Sequence, residues 1–484
     1  MSQTEFLSNY IGGQHLPPQD GHYLDNFEPA TGMVYSQIPD SDTKDVSAAI
    51  DAATEAFPLW SSLSNEERSQ WLMKIADGIE ARMDEFAAAE SKDNGKPITL
   101  AKSVDIPRAV ANFRFFAQAI TQFSSESHFM QGVGINYTLR QPIGVAACIS
   151  PWNLPLYLLT WKIAPALATG NTVVAKPSEV TPYTAYLLGR LCEEIGLPKG
   201  VLNFVHGLGP KVGEAMCIHP SVKAISFTGG TATGRRIASV AAPMFKKMSL
   251  ELGGKNPNII FADCNYDEML STTIRSSFAN QGQICLCGSR IFVERPIYEK
   301  FKRDFIAKVA ALKVGDPSDQ ATKTGAVVSE SHMLKVLSYI QLAKDEGGKI
   351  LSGGMQVNPG DRCENGWFIQ PTIIENLDYD CRTNQEEIFG PVVTIMPFDT
   401  EEEVLHYANS TVYGLAATVW TENLTRAHRM AEKLESGIVW INCWLQRDLR
   451  TPFGGVKNSG VGREGGMEAL YFFTEAKNVC VKYH

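Results

Sequence analysis

The segment FANQGQICLCGSR, residues 278–290, holds Cys285 and Cys287 one residue apart behind Gly282. A thiolate is a strong nucleophile near neutral pH, and a glycine lets a ligand approach the backbone closely. If Cys285 opens a helix, free N–H groups there favour the thiolate and donate to a nearby oxyanion. If 285–290 runs as a strand, both cysteines share one face; as small buried hydrophobes, they would do no chemistry at all. A base is on offer in SLELGGK. Glu251 stands between Leu250 and Leu252, where burial would raise its carboxyl toward the working range of a general base; a salt-bridged strand-end glutamate is the ordinary alternative. Asn153 in SPWNLP is a neutral amide donor in a proline-flanked turn, suited to an oxyanion hole or to capping the turn.

A second set of residues could hold a phosphorylated ligand. In ISFTGGTATGRRIA a strand is followed by Gly229, Gly230 and Gly234 and then a helix, which offers backbone N–H groups to a phosphate or simply makes a tight turn. In AKPSEVTP, Lys176 and Glu179 stand at the carboxyl end of a strand, where open sheets bind ligands. A carboxylate there accepts from a ribose diol and repels a 2'-phosphate, which favours NAD over NADP.

These residues need a large scaffold. At 484 residues the chain exceeds one hydrophobic core, so two or more domains are expected. Short apolar runs (GVAACIS, NTVVAKP, VLNFVHG, VKAISFTGG) alternate with helical stretches from residue 143 onward, predicting a doubly wound parallel α/β sheet, and a second α/β region runs to about residue 440. Residues 43–96 read as two helices, the second opened by a Ser64–Glu67 capping box and stopped by DNGKP. DIPRAVANFRFFAQAI reads as an amphipathic helix with Val110, Phe113, Ala117 and Ile120 on its core face. LPLYLLTWKIAPALATG, interrupted by Lys162 and Pro165, reads as a buried helix too short to span a bilayer. With 44% hydrophobic and 20% charged residues the chain has the composition of a globular enzyme, and a net charge of −9 argues against a nucleic-acid surface. No basic, apolar leader opens the sequence and its ten cysteines are irregularly spaced, so a cytoplasmic protein without a membrane partner is expected. With no HExxH, paired CxxC or histidine cluster, no metal site is expected.

PWNLP, KPSE, FTGG with Gly234, LELGGKNP, GQIC, EEIFGPV and PFGGVKNSG occur in one order along nearly the whole chain. In that order they resemble the NAD(P)-dependent aldehyde dehydrogenase superfamily. The resemblance implies Cys285 as nucleophile, Glu251 as base for hydrolysis of a thioester, and Asn153 with the Cys285 N–H as oxyanion hole; Cys287 is a neighbour. It implies NAD held by Ile149, Ser150, Trp152, Lys176, Ser178, Glu179, Gly209, Gly213, Phe227, Thr228, Gly229, Gly230, Gly234, Leu252, Glu387 and Phe389. Gly230 departs from the serine common after FTG, leaving only backbone contacts there. The fold implied is aldehyde-dehydrogenase-like, with two doubly wound α/β domains and a small β projection. Its expected parts are a Rossmann-like NAD domain (1–120 and 143–253), a catalytic domain (254–458) and oligomerisation segments (121–142 and 459–484), with a homodimer or homotetramer as the assembly.

Within that superfamily INCWLQRDLRTPFGG and DIPRAVANFRFFA are similar to dehydrogenases of 2-aminomuconic or 2-hydroxymuconic semialdehyde. Both segments carry arginine where the wider family has mostly apolar or aromatic side chains, and the planar guanidinium fork matches a substrate carboxylate. The resemblance favours Arg108 and Arg447, with Arg450 second to Arg447 and with Trp161 and Phe453 beside them, as the site of a small anionic aldehyde. Pairing of these arginines with Asp105 and Asp448 at the surface is the competing arrangement. Other readings are a betaine-aldehyde-type dehydrogenase of a cationic or neutral aldehyde, and an NAD-binding structural protein without activity.

Overall fold

A computed structural model describes residues 4–483. Residues 1–3 and 484, at the ends of the expected domain spans, lie outside the described residues. The apolar runs from 143 onward form five parallel strands, in the spatial order Lys247–Glu251, Val222–Thr228, Val145–Ile149, Thr172–Lys176, Leu202–Phe204. Antiparallel edge strands (Gly460–Val461 on one side, Asn9–Ile11 and Gln14–Leu16 on the other) complete an eight-stranded sheet. The first parallel strand in the chain, Val145–Ile149, lies between Val222–Thr228 and Thr172–Lys176. The connections therefore diverge beyond its carboxyl end, and the crevice that opens there is where such sheets bind ligands. The edge strand 460–461 shows that the C-terminal segment serves this sheet before it leaves the domain.

A second, seven-stranded sheet runs in the order Lys349–Ser352, Thr372–Glu375, Val392–Phe398, Arg290–Glu294, Pro257–Ile260, Ala416–Trp420, Ile438–Ile441, parallel except for its first pair. The third sheet is antiparallel. Its strand Gly134–Pro142 pairs with Ser127–Met130 and with Thr474–Lys482, and Phe129, Val133 and Val481 are exposed on it or beside it.

The helices follow their sequence signals with one exception. Ser64 Oγ accepts from the Glu67 N–H and Glu67 accepts from the Ser64 N–H, so the predicted capping box is formed. Residues 43–96 nevertheless make three helices, not two, Thr43–Ser62, Asn65–Ala81 and Met83–Asn94. The second break falls at Arg82, whose φ of −116° and ψ of 27° leave the helical region without any Gly or Pro to announce it. Gly95, at φ 83°, ends the third helix as the left-handed residue that glycine supplies without strain. Helix Ile106–Thr121 buries Val110, Phe113, Ala117 and Ile120 against Asn65–Ala81 and Pro155–Ala168. Burial of Phe113 contributes about 2–3 kcal/mol. Every residue of Pro155–Ala168 is buried. Among the described residues no helix is long and apolar enough to cross a membrane.

Candidate active site

Beyond helix Tyr266–Phe278 the chain enters the cysteine loop through Asn280, Gln281 and Gly282, with φ of 51°, 56° and 69°. Left-handed backbone costs about 1–3 kcal/mol at a non-glycine residue, so this path must be held by its surroundings. Asn280 Nδ2 donates to the Asn153 carbonyl (2.9 Å) and Gln281 Nε2 to the Ala326 carbonyl (2.7 Å), while Gln283 Oε1 accepts from Val328 N (3.0 Å). A Cβ on Gly282 would lie 2.1 Å from the Gly390 carbonyl, so only glycine fits.

Cys285 then sits in a turn closed by Cys287 N–H to the Ile284 carbonyl (3.0 Å), and Asn256 Nδ2 donates to both the Cys285 and Cys287 carbonyls (2.7 and 2.9 Å). Neither the helix start nor the strand considered from sequence is formed. The amide of Asn256 does the holding, and no helix N-terminus stands ready to lower the thiol pKa. The two cysteines part company here. Cys285 is half-buried and lines a cavity of about 540 Å³, while Cys287 is buried among Ile284, Leu286, Trp440 and Trp444. Burial, then Glu387 and Glu251, push the Cys285 thiol up, so at rest it keeps its proton.

Glu251 lines the same cavity at the end of its strand. Burial and the nearby Glu464 hold its carboxyl well above the usual range, and its Oε1 is buried without a partner. Glu464, also on the wall, has partners: Lys162 Nζ (2.6 Å) and Ser226 Oγ (3.1 Å) donate to it. Of the two neighbouring carboxyls, Glu464 is paired with a buried lysine and Glu251 is left as a proton acceptor of raised basicity. Lys162, which interrupts the apolar run in the sequence, is the unread signal for this pair. Asn153 stands behind the cysteine loop rather than on the cavity wall. Its Nδ2 donates to the Gln283 carbonyl (3.0 Å), two residues before Cys285, which leaves its second N–H unspent beside the loop.

A second cavity of about 550 Å³ opens at the crevice of the first sheet. Ile149, Ser150, Trp152, Lys176, Ser178, Glu179, Gly209, Gly213, Phe227, Thr228, Gly229 and Gly230 all line it, and Thr228 lines the first cavity as well. Ser150 Oγ and Thr228 Oγ1 are buried hydroxyls without a partner among the described residues, and helix Thr231–Ala241 points its uncapped N-terminus from Gly230 toward the same space. Lys176 Nζ lies 2.9 Å from Glu179 at the strand end. Orphaned hydroxyls, a free helix N-terminus and a strand-end carboxylate fit a dinucleotide.

Four residues of the expected cofactor set lie elsewhere. Gly234 does not line the cavity; a Cβ on it would come within 2.4 Å of Leu252 Cδ2, so it is there to let the helix sit close on the sheet. Leu252 lines the first cavity. Glu387 and Phe389 stand beside Cys285, where Glu387 Oε1 accepts from Gly254 N (2.8 Å) and the Phe389 ring meets Trp152 edge-on at 5.2 Å.

Of the substrate set, Arg108, Arg447 and Phe453 line the Cys285 cavity. Tyr157, missed in the sequence because it sits in an apolar run, links the arginines: its hydroxyl accepts from Arg447 Nη1 (2.7 Å) and its ring faces the Arg108 guanidinium at 5.6 Å. Arg447 also lies over the Phe453 ring at 3.9 Å. The competing surface pairing is formed for Arg450 alone, which takes Asp448; Asp105 is buried against Lys96 (2.8 Å), and among the described residues Arg108 and Arg447 pair with neither aspartate. Two expectations are corrected. Arg450 is 80% exposed and held outside by that bidentate pair two residues away. Trp161 is buried beneath Arg447, 5.1 Å from it, and supports the wall without forming it. Lys96, read only as part of a helix stop, donates to Asp105 and to the Asn153 carbonyl (3.1 Å) and ties the arginine helix to the Asn153 turn.

Residues 16–479 match the sequence model of the aldehyde dehydrogenase family. The chain is 55% identical to 2-aminomuconic semialdehyde dehydrogenase of Bos taurus over 99% of this chain and 98% of that one. It is 48% identical to 2-hydroxymuconic semialdehyde dehydrogenase of Pseudomonas sp. (strain CF600), over 98% of this chain and 99% of that one. Among solved structures, the NAD+ complex of an aldehyde dehydrogenase from Bacillus cereus superposes with a TM-score of 0.96 at 38% identity, covering 99% of this chain and 97% of that one.

Proposed function

The chain belongs to the aldehyde dehydrogenase family, and on that premise we propose that it oxidises a carboxylate-bearing unsaturated semialdehyde, of the 2-aminomuconic or 2-hydroxymuconic type, to the dicarboxylic acid with NAD. The observation that carries this reading is the placement of Arg108 and Arg447 around Tyr157 in the cavity that also holds Cys285 and Glu251. Two guanidinium groups with no carboxylate partner among the described residues, on the wall of the same cavity, suit one anionic end of a substrate whose other end reaches the thiol. A cationic aldehyde would be repelled by both.

Cys285 surrenders its proton to Glu251, whose carboxyl burial and Glu464 make more basic than an ordinary carboxylate, and the thiolate adds to the aldehyde carbon. The Cys285 N–H donates to the oxyanion, and Asn153 joins it as second donor by turning its amide from behind the loop toward the cavity. The hydroxyls, helix N-terminus and Lys176–Glu179 pair of the second cavity would hold NAD, which would supply the hydride acceptor this carbon needs. Once Glu251 has passed the thiol proton on to bulk water, it takes a proton from the water that attacks the thioester on Cys285, which frees the carboxylic acid and returns the thiolate. Glu464, fixed by Lys162, keeps Glu251 basic enough for both steps.

We place this activity in a reducing cytoplasm, in keeping with ten free cysteines. The domains expected from sequence correspond in this reading to the two large sheets, and the exposed three-stranded sheet is the surface through which copies of the chain assemble into a dimer or tetramer. Light scattering on the purified protein tests the assembly. The test of the activity is kcat/KM with NAD for 2-hydroxymuconic semialdehyde against a neutral enal of similar length, on wild type and Arg447→Ala. A strong preference for the anion that collapses in the variant is expected, with a loss of about 2–5 kcal/mol. Equal rates for the two aldehydes, unchanged by the substitution, would overturn the reading.

A further inference from the structure

A third arginine lines the Cys285 cavity and is spent on nothing else. Arg275 projects from helix Tyr266–Phe278 to the cavity wall, is exposed, and makes one aromatic contact, its guanidinium 5.8 Å from the ring of Trp444. Trp444 is itself fixed, with Nε1 donating to the Leu286 carbonyl (2.9 Å) inside the cysteine loop. The other charges on this wall fall into two groups. Asp105 and Glu464 are neutralised by the buried Lys96 and Lys162, and Glu251 lies buried at the inner end. Arg108, Arg447 and Arg275 have no carboxylate partner among the described residues, and Arg275 is the exposed one of the three.

The whole chain carries a formal charge of −9, so its long-range field repels an anionic substrate. Within a distance of about 10 Å at moderate salt the local charges dominate, and a cationic mouth walled by low-dielectric side chains concentrates anions at the entrance. We propose that Arg275 is a specificity-determining residue that captures and steers the anionic end of the substrate into the cavity, before Arg108 and Arg447 take it over. This rests on the anionic-aldehyde reading above and adds to it a separate entry step at a different residue.

The measurement is the ratio of kcat/KM for 2-hydroxymuconic semialdehyde to that for a neutral enal, at saturating NAD and at several ionic strengths, on wild type, Arg275→Gln, Arg275→Lys and Arg447→Ala. For wild type the ratio should fall as salt rises, against the sign the net charge alone would give. In Arg275→Gln the ratio at low salt should drop about five- to tenfold, with the loss in KM rather than kcat and a flatter salt dependence. Arg275→Lys, which keeps the charge, should restore most of it. If Arg447→Ala destroys the preference while Arg275→Gln changes neither ratio nor salt dependence, the steering role is wrong and the substrate reading stands. If both aldehydes slow equally in Arg275→Gln and Arg275→Lys, the residue only braces Trp444 and the proposal is overturned. If wild type shows no preference for the anion, both fall together.

Discussion

The two cavities that meet at Thr228 are built in different ways. The cofactor cavity is contributed by strand ends, glycine turns and the helices that follow them, in compact stretches within 149–152, 176–179, 209–217 and 227–240. The substrate cavity is made of side chains from segments far apart in the chain. Arg108 comes from one helix, Tyr157 from another, Glu251 from a strand, Cys285 from a strained loop and Arg447 from the segment after the last strand of the second sheet. A site gathered from a few compact stretches advertises itself by motif, whereas a site gathered from single residues far apart depends on each contributor and is spread over the sequence.

That contrast can be broken most severely at the thiol. Cys285→Ala should lower kcat by about 10⁴-fold or more while NAD binding, followed by fluorescence titration, stays within about twofold. A comparable loss of NAD affinity would mean that the cavities are not separable. Next in size, Glu251→Gln should slow thioester hydrolysis by about 10²–10⁴-fold, seen as a burst of one NADH per site followed by slow turnover. Because burial and Glu464 raise the Glu251 carboxyl, wild-type turnover should lose activity on acidification at a pH above the ordinary carboxylate range, as the base becomes protonated. This acidic limb should vanish in Glu251→Gln, and a limb that persists there belongs to another group.

On the cofactor side the expected effects are smaller. Gly234→Ala would force a methyl against Leu252 and should cost about 1–3 kcal/mol in denaturant unfolding, with NAD affinity changed less than stability. A loss confined to NAD binding would restore Gly234 to the cofactor set. The smallest effect concerns His206, beyond the strand Leu202–Phe204, whose pKa is lowered to about 3, first by burial and then by Lys176. Between about pH 3 and 6.5 the unfolded chain binds a proton at His206 that the native one does not. Stability therefore falls as pH drops through that window, by about 1.4 kcal/mol per unit from this residue. His206→Gln should flatten the slope of stability between pH 6.5 and 5.5, and an unchanged slope would assign it to other groups.

Particular residues show where sequence reasoning stops. The strand–glycine–helix runs, the Ser64 capping box and the core stripe of 106–121 were readable because each depends on neighbours within about one helical turn or one strand. Gly234 shows the limit of spacing, which cannot tell a glycine that admits a phosphate from one that admits a leucine, and here a Cβ would meet Leu252. Arg450 and Arg447 stand three residues apart in one irregular segment, and only the fold turns one to Asp448 and the other to Tyr157. Lys162 and Glu464, Lys96 and Asn153, and Asn280 and Asn153 are long-range partners that no local pattern reports.

By itself the sequence determined the class of chemistry and the alternating α/β architecture, since nucleophile, base, amide donor and phosphate-binding turns each sit in a short segment with its own signature. Only the tertiary structure decided which cysteine faces the cavity, which carboxyl is left as the base and which arginines meet the substrate. Those outcomes depend on burial and on partners more than a hundred residues away, as Asn153 and Gln283 are, and desolvation is a property of the folded interior that no local stretch of sequence possesses.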